Sequence, residues 1–328
     1  MGEAKNVTSA AGSGAEPAPA AARPRVAALL LNWRRADLTL SCLADLLAAD
    51  GEPLHVVVID NGSHDGSREH FAAAIAALPP SPHRVELLAL DANLGFCGGM
   101  NRGIARASEL GLPFVLVLNN DLRLPADAIR PLADALAADS RIAAIAPTVL
   151  HPDGTVWAQG ASIAFAPNAL RLHGHGGPPA PTTLGPQAVQ ALPAACVLYR
   201  ADQLAAVGGF DERYFMYWED VDLCQRLRAR GGRVVWLPWV RVVHASGASS
   251  GGGKSPLRKF LMACNAVHYL RRHGSVRGWL AWLCFDLLLW PLALLTGPRA
   301  AFAKLYGTWA GLAGHRPSAA DVARLHRR

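Results

Sequence analysis

Apolar and polar stretches alternate in blocks through the first half of the chain. Residues 26–31 (Val-Ala-Ala-Leu-Leu-Leu) are continuously apolar over the length of a strand and stop at Asn32-Trp33. A helical pattern follows through Leu38, Leu43, Leu46 and Leu47. Residues 56–59 form a second apolar strand, ending at Asp60-Asn61-Gly62-Ser63, and a helix carrying Phe71 and Ile75 comes next. A strand over 85–90, a helix over 98–110, a strand over 114–118, a helix opened by Pro125 and a strand over 142–146 continue the series. Strands apolar on both faces, alternating with helices, predict an α/β fold: a Rossmann-like, mostly parallel sheet with helices on both faces.

The pattern breaks from residue 151 to about 193. Gly, Pro and His dominate 172–186, which reads as an exposed loop. Beyond it, 195–199 reads as a strand, 201–207 as a short helix, and 233–237 and 241–244 as short strands. The Gly/Ser-rich run 246–254 has the composition of a lid. Between these lies the densest stretch, 208–227. A Gly-Gly turn is followed by Phe, Tyr and Trp residues, then by Glu219, Asp220 and Asp222 at the start of a helix whose apolar side is Val221, Leu223, Cys224 and Leu227. Acidic groups there complement the helix dipole, which accounts for one carboxylate better than for three. A carboxylate held against Tyr217 and Trp218 in a partly dry site can also serve as a general base.

Polar residues gather where the apolar strands end: Asn32, Asp60, Asn93 and Asn119-Asn120-Asp121. Each alone is an ordinary turn residue. Together they mark the carboxyl edge of an open α/β sheet, where ligands bind. Gly98-Gly99, placed at a helix start, suits an anion-binding turn. Because the motif is not GxGxxG, a dinucleotide oxidoreductase is a distant reading. His173 and His175 read as solvated loop residues, with metal ligation the competing role.

Charge and cysteine usage narrow the class. The formal net charge of +7 comes largely from residues after Arg258. It is therefore a property of the tail, which charge alone matches equally to anionic membranes or nucleic acid. Six scattered cysteines without a CxxC pair argue against a zinc knuckle or a disulfide framework and fit a reduced, cytosolic compartment. Residues 1–24 are rich in Ala, Gly, Pro and Ser, without the apolar core of a secretory signal, and read as a disordered leader. Asn6-Val7-Thr8 fits a glycosylation sequon of the kind that arises by chance. Residues 279–296 are strongly apolar, interrupted by Asp286 and Pro291, and place Trp279, Trp282, Asp286 and Trp290 on one helical face. That is short for a membrane span. It predicts a helix lying in or re-entering the membrane surface over 275–300, against the alternative of a helix packed on the catalytic body.

Six motifs occur in order: Val-Ile-Asp60-Asn-Gly-Ser63, Asn93-Leu-Gly-Phe-Cys-Gly-Gly99, Leu-Asn119-Asn-Asp121, Gly-Gly-Phe-Asp-Glu212, Tyr-Trp-Glu-Asp-Val-Asp222 and Val-Val-His244. Together they resemble the inverting family 2 glycosyltransferases, in particular the rhamnosyltransferase-like branch. The resemblance spans about 25–254 and implies a GT-A fold over 25–257, with a nucleotide-binding half (25–150) and an acceptor half (151–257), followed by a helical, membrane-associating tail (258–328). It assigns Asp60, with Asn32 nearby, to the nucleobase, and places Asn93, Gly98, Gly99 and Asn120 near the donor. It sets Asp121 and His244 as ligands of Mg²⁺ or Mn²⁺. Asn119 stands where the family carries the first aspartate of its DXD motif and keeps a carbonyl oxygen for the metal. It makes Asp220 the base, with Glu219, Asp222 and Trp218 in support. The implied reaction moves a sugar, L-rhamnose from a dTDP donor or a sugar from UDP or GDP, onto a glycan or polyprenyl-linked acceptor. The implied place is the cytoplasmic membrane face, with no nucleic-acid partner. A non-catalytic sugar-nucleotide-binding or scaffold protein on the same fold is the competing class.

Overall fold

The computed structural model describes residues 24–165, 170–245 and 255–326. The leader through residue 23, the sequon at Asn6 and the lid expected over 246–254 lie outside the described residues. The first half comprises β1 (Val26–Asn32), α1 (Ala36–Leu47), β2 (Leu54–Asn61), α2 (Ser67–Ala76), β3 (Arg84–Leu90), α3 (Gly95–Glu109), β4 (Phe114–Leu118), β5 (Leu122–Arg123), α4 (Ile129–Ala138) and β6 (Ile142–Leu150). Short strands follow: β7 (Val156–Ala158), β8 (Ala161–Ile163), β9 (Leu170–Leu172) and β10 (Gln187–Ala188). Then come β11 (Cys196–Arg200), α5 (Ala201–Ala206), α6 (Glu219–Ala229) and β12 (Arg233–His244). The tail holds α7 (Pro256–His273), α8 (Val276–Trp282), a π-helical turn (Leu283–Leu288), α9 (Trp290–Thr296), α10 (Pro298–Leu312) and α11 (Ala319–His326).

The main sheet runs β10-β12-β6-β11-β4-β1-β2-β3. β1 pairs in parallel with β2 and β4, β2 with β3, and β12 with β6, while β11 lies antiparallel between β4 and β6. The alternation of strand side chains builds two cores. Ala27 and Leu29 of β1 face the layer of α3, α6 and α7, whereas Val26, Ala28 and Leu30 face α1, α2 and α4. Both sets are fully buried, which is why the strands read as unbroken apolar runs.

Three expected boundaries move. Helix α3 begins at Gly95 rather than Gly98, so Gly98-Gly99 lies inside the helix. Gly95 enters at φ +74, and a Cβ there would stand 2.6 Å from the Phe215 carbonyl oxygen. Gly99 lets α3 close onto β1, since its Cβ would meet Leu31 at 2.5 Å. Helix α4 starts at Ile129, and Pro125 sits in the preceding turn, its carbonyl accepting the Ala128 N–H at 3.0 Å. The segments 233–237 and 241–244 are one strand, β12, with a register shift between Leu237 and Arg241 where Pro238 supplies no N–H.

The tail divides in two. Helix α7 joins the main core through Ala266, Val267, Tyr269 and Leu270. Helix α10 lies across α7 at Gly307 and Gly311, where a Cβ would approach the Phe260 and Cys264 carbonyl oxygens to 2.3 and 2.7 Å. The apolar stretch over 279–296 is broken at Leu289, between the π-helical turn and α9. No helix among the described residues is long and apolar enough to cross a membrane. The tryptophans do not form the expected outward belt. Trp282 is buried, Trp279 packs on the main core, and the Trp290 indole donates to the Ala301 carbonyl at 2.6 Å. Val276, Leu280, Leu288, Leu292 and Leu295 are exposed instead. Asp286 is paired with Lys304 at 2.6 Å. Arg271 donates to the carbonyls of Gly311 and Leu312, and Arg272 to Asp211, so this basic pair braces the helical layer.

Candidate active site

The carboxyl ends of β1, β2 and β4 stand side by side because the strands are parallel and in register, with Asn32 opposite Asp60. Their polar side chains form one connected chain. Asn32 Nδ2 donates to Asp60 Oδ1 and to Ser63 Oγ, each at 3.0 Å. Thr39 Oγ1 donates to Asn32 Oδ1 at 2.9 Å, and Asn120 Nδ2 donates to Thr39 Oγ1 at 2.9 Å. Ser63 Oγ also donates to Asp60 Oδ1, whereas among the described residues Asp60 Oδ2 meets only the Ser63 N–H, at 3.5 Å. Asp60 is 4% exposed and Asn32 fully buried, so this carboxylate is held in one orientation with an acceptor to spare. Thr39 did not stand out in the sequence, because a single hydroxyl is too common to carry a signal.

After β3 the backbone is folded by Asn93 and Asn61. Asn93 Oδ1 accepts from the Gly95 N–H (2.8 Å) and from Asn61 Nδ2 (3.2 Å). Asn61 also accepts the Leu94 N–H and donates to the Gly95 carbonyl. The N–H groups of Phe96 and Cys97, at the true start of α3, both point at the Phe215 carbonyl, at 2.8 and 3.3 Å. The anion-binding turn expected at Gly98-Gly99 is therefore corrected. Gly99 serves helix–sheet packing, Gly98 faces Leu94 at the start of its own helix, and the helix-start amides already have an acceptor.

Asn119, Asp121 and His244 come together although 125 residues separate the first from the last. β12 pairs antiparallel with β5, placing His244 opposite Leu122, next to Asp121. His244 Nε2 lies 2.9 Å from Asp121 Oδ1 and 3.4 Å from the Asn119 amide. Asp121 and His244 are 5% and 8% exposed. The other ring nitrogen, His244 Nδ1, is buried without a hydrogen-bond partner among the described residues, and Trp157 packs edge-on against the ring at 4.9 Å. No three His, Cys, Asp or Glu side chains form a metal-sized group among the described residues. The donor set is instead one carboxylate, one imidazole and one amide, and it fits a divalent cation that takes its remaining ligands from a substrate. The two ends of an Asn amide exchange by rotation of the side chain, so the Asn119 carbonyl oxygen can turn toward this point. His173 and His175 are not ligands of one site: His173 pairs with Ser162 at 2.6 Å and His175 with the Trp157 carbonyl at 2.9 Å.

The acidic triplet opens α6 as expected, and its members separate in role. Asp220 is partly buried and accepts the N–H of Val221 at 2.8 Å and of Ala194 at 3.2 Å. The next residue, Ala195, accepts the Asn119 N–H at 2.8 Å. Two successive residues at the head of β11 thus tie Asp220 to the Asn119–Asp121 turn, because β11 runs antiparallel to β4 and starts where β4 ends. Glu219 is 6% exposed, and its Oε2 has no partner among the described residues. Burial first, and Asp220 beside it, push the Glu219 carboxyl well above the usual range. Burial also raises Asp220, opposed by its two N–H donors. Asp222 turns the other way: fully buried, it accepts from Arg226 (2.6 Å) and His273 (2.7 Å), joining α6 to α7. Trp218 packs against Phe165 and Tyr269, with its N–H on the Met262 carbonyl at 3.2 Å.

Residues 31–192 match the family model for glycosyl transferase family 2. The N-acetylglucosaminyl-diphospho-decaprenol L-rhamnosyltransferase of Mycobacterium tuberculosis is 35% identical over 231 residues, covering 64% of this chain and 72% of that protein. Among solved structures, the mannosyltransferase PcManGT from Pyrobaculum calidifontis in complex with GDP-Man and Mn²⁺ superposes with a TM-score of 0.56 at 18% identity, covering 94% of this chain and 81% of that one. GalNAc-T7 with UDP, GalNAc and Mn²⁺ gives a TM-score of 0.56 at 14% identity over 76% of this chain and 48% of that one. These two likenesses are likenesses of fold, the GT-A arrangement.

Proposed function

The chain belongs to glycosyltransferase family 2, in its rhamnosyltransferase-like part, and on that premise we propose that it transfers L-rhamnose from dTDP-rhamnose to a polyprenyl-linked saccharide with inversion. One observation carries the reading. The Asp121–His244–Asn119 cluster and the Asp220 carboxylate occupy the same sheet edge, linked through Ala194 and Ala195. Asp121 and His244, with Asn119, would hold Mn²⁺ or Mg²⁺; the imidazole makes Mn²⁺ the better match of the two. When bound, that cation supplies charge neutralisation for the departing nucleoside diphosphate.

This chain's residues do the rest. Asp60 Oδ2, fixed by Asn32 and Ser63, accepts the imide N–H of a thymine or uracil ring. Asn120 and Asn93 shape the donor side through the turns they hold, and Gly98-Gly99 lets α3 approach it. Asp220 takes the proton of the acceptor hydroxyl as its oxygen bonds to the anomeric carbon. The bond from that carbon to the diphosphate oxygen breaks, and the diphosphate leaves with the electron pair. One displacement with one base inverts the centre. Burial, with Asp220 beside it, pushes the Glu219 carboxyl well above the usual range, so Asp220 is the member of the pair that gives up its proton first. The test is a panel of dTDP-, UDP- and GDP-sugars with a GlcNAc-diphospho-polyprenol acceptor. Product formed with dTDP-rhamnose supports the reading. Binding without turnover by any donor would leave the non-catalytic alternative standing.

The acceptor class also gives the exposed tail face a role. Leu280, Leu288, Leu292 and Leu295, with Phe302 and Trp309 of α10, are exposed apolar side chains suited to a lipid surface. We propose peripheral docking there, at the cytoplasmic face of the membrane. With Arg271 and Arg272 engaged inside the protein, burial of apolar side chains dominates, at roughly 1.5 kcal/mol or more per leucine. Cutting the chain after residue 274 would strip α10 from α7, so point changes are the cleaner probe. The full chain is expected to pellet with anionic vesicles and to stay bound in high salt. Changing Leu280, Leu288, Leu292 and Leu295 to Ser is expected to leave it in the supernatant; equal pelleting of the two proteins would refute docking through this face.

A further inference from the structure

We propose that Asn265, in the middle of α7, is a positioning residue for Asp220, acting through the backbone of residues 214–218; the catalytic part of this inference rests on Asp220 being the base. That segment enters α6 in a conformation its residue types disfavour. Phe215, Tyr217 and Trp218 all have positive φ, at 57°, 72° and 74°. Phe215, at φ 57 and ψ −56, is the centre of a γ-turn closed by the Met216 N–H on the Tyr214 carbonyl at 2.6 Å. A γ-turn of this hand is rare and strained. Bulky aromatics hold left-handed backbone only where the surroundings over-determine it.

Asn265 supplies much of that determination. It is fully buried, and its Nδ2 lies 2.8 Å from the Tyr214 carbonyl and 2.9 Å from those of Met216 and Tyr217. Three acceptors around one nitrogen fix the amide orientation, and two N–H groups serve three carbonyls, one of them shared. The remaining carbonyls of the segment are also engaged. Phe215 accepts from the first amides of α3, Phe96 and Cys97, and Trp218 accepts from Asp222 inside α6. The strained turn is thus clamped between the helix behind the donor side and a helix of the tail, two residues before Asp220. Without the Asn265 amide, the Tyr214, Met216 and Tyr217 carbonyls lose that shared donor, the Tyr214 carbonyl keeping the Met216 N–H, and the turn relaxes toward ordinary φ. Such a change swings the first turn of α6, and with it Asp220, away from the Asn119–Asp121 turn. This makes α7 part of the catalytic apparatus, although it lies beyond residues 31–192, where the family model matches.

Asn265→Leu keeps the volume and removes the donor, while Asn265→Ala leaves room for a water and serves if the leucine variant does not fold. With dTDP-rhamnose as donor, kcat is expected to fall roughly 10–100-fold, the scale of a misplaced catalytic group. KM for the donor is expected to stay within about threefold, because the donor contacts sit on β1, β2 and β4. Hydrogen exchange, read by mass spectrometry on the same proteins, is expected to quicken at Met216 and at Phe96 and Cys97, whose acceptor is the Phe215 carbonyl. A residue serving bulk stability alone would instead lower the melting temperature and quicken exchange throughout α7, with kcat per folded molecule unchanged. Parental exchange at Met216, Phe96 and Cys97, or a kcat within about threefold of the parent, overturns the proposal. Failure of the parent to use dTDP-rhamnose overturns the donor assignment, and the exchange comparison still decides whether Asn265 holds the turn.

Discussion

Asp220→Asn is expected to reduce kcat by roughly 10²–10⁴-fold, the usual scale for loss of a general base. The amide keeps the shape, and its single oxygen can still accept either the Val221 N–H, taken by Oδ1 in the parent, or the Ala194 N–H, taken by Oδ2, so one of the two ties at the α6 start is retained. What is lost is proton acceptance. Donor affinity is expected to survive, since Asp60, Asp121 and His244 are untouched. The pH dependence follows from the direction of the shift. Burial raises the Asp220 pKa, so the climb of parental kcat with pH should be displaced upward from where an ordinary aspartate titrates, and the variant should lack that limb. The stability sign is opposite. A carboxyl raised in the folded state holds its proton longer folded than unfolded, so stability falls as pH rises from the unfolded pKa through the folded one. Asp220→Asn removes that pH-dependent loss, so its melting temperature should gain on the parent's as pH rises from the unfolded carboxylate pKa toward 7. A variant transferring sugar at the parental rate would remove Asp220 from the base role.

The second large effect is expected at the other end of the Ala194–Ala195 link. Asp121→Ala should lower kcat/KM by roughly 10²–10³-fold, the scale of losing a main electrostatic stabiliser of the leaving group. Both donor affinity and Mn²⁺ affinity should fall, because Asp121 contributes the only carboxylate of the set. His244→Ala should act in the same direction less severely, leaving Asp121 buried without its 2.9 Å partner. Titration of Mn²⁺ into the parent and both variants, followed by nucleotide release, measures these effects. Full parental activity after exhaustive chelation would dismiss the metal role of all three residues, Asn119 included.

The site was legible in the sequence to the extent that its chemistry is local. Asn32, Asp60 and Asn119-Asn120-Asp121 each terminate an apolar run, and strands apolar on both faces imply a parallel sheet, which brings such ends to one edge. The different partners of Glu219, Asp220 and Asp222 were not legible. They depend on which face of α6 meets the head of β11 and which meets Arg226 and His273. The Gly98-Gly99 expectation failed for a related reason. A Gly pair signals small volume, and only the packing of α3 on Leu31, with the Phe215 carbonyl already at the helix start, decides whether that volume admits a ligand or a strand.

By itself the sequence determined the period of each element, the two-faced burial of the strands and the kinds of group at their ends, since these follow from local side-chain pattern. The tertiary structure alone decided what those groups touch. His244 reaches Asp121 because β12 returns beside β5, and Trp279, Trp282 and Trp290 turn inward because α8, α9 and α10 have a core and neighbours to pack against. Asn265 gained its role only when α7 came to lie against residues 214–217, where a single amide meets three carbonyls. The physical reason is that burial and hydrogen-bond partners are properties of pairs distant in the chain, and a local pattern carries only one member of each pair.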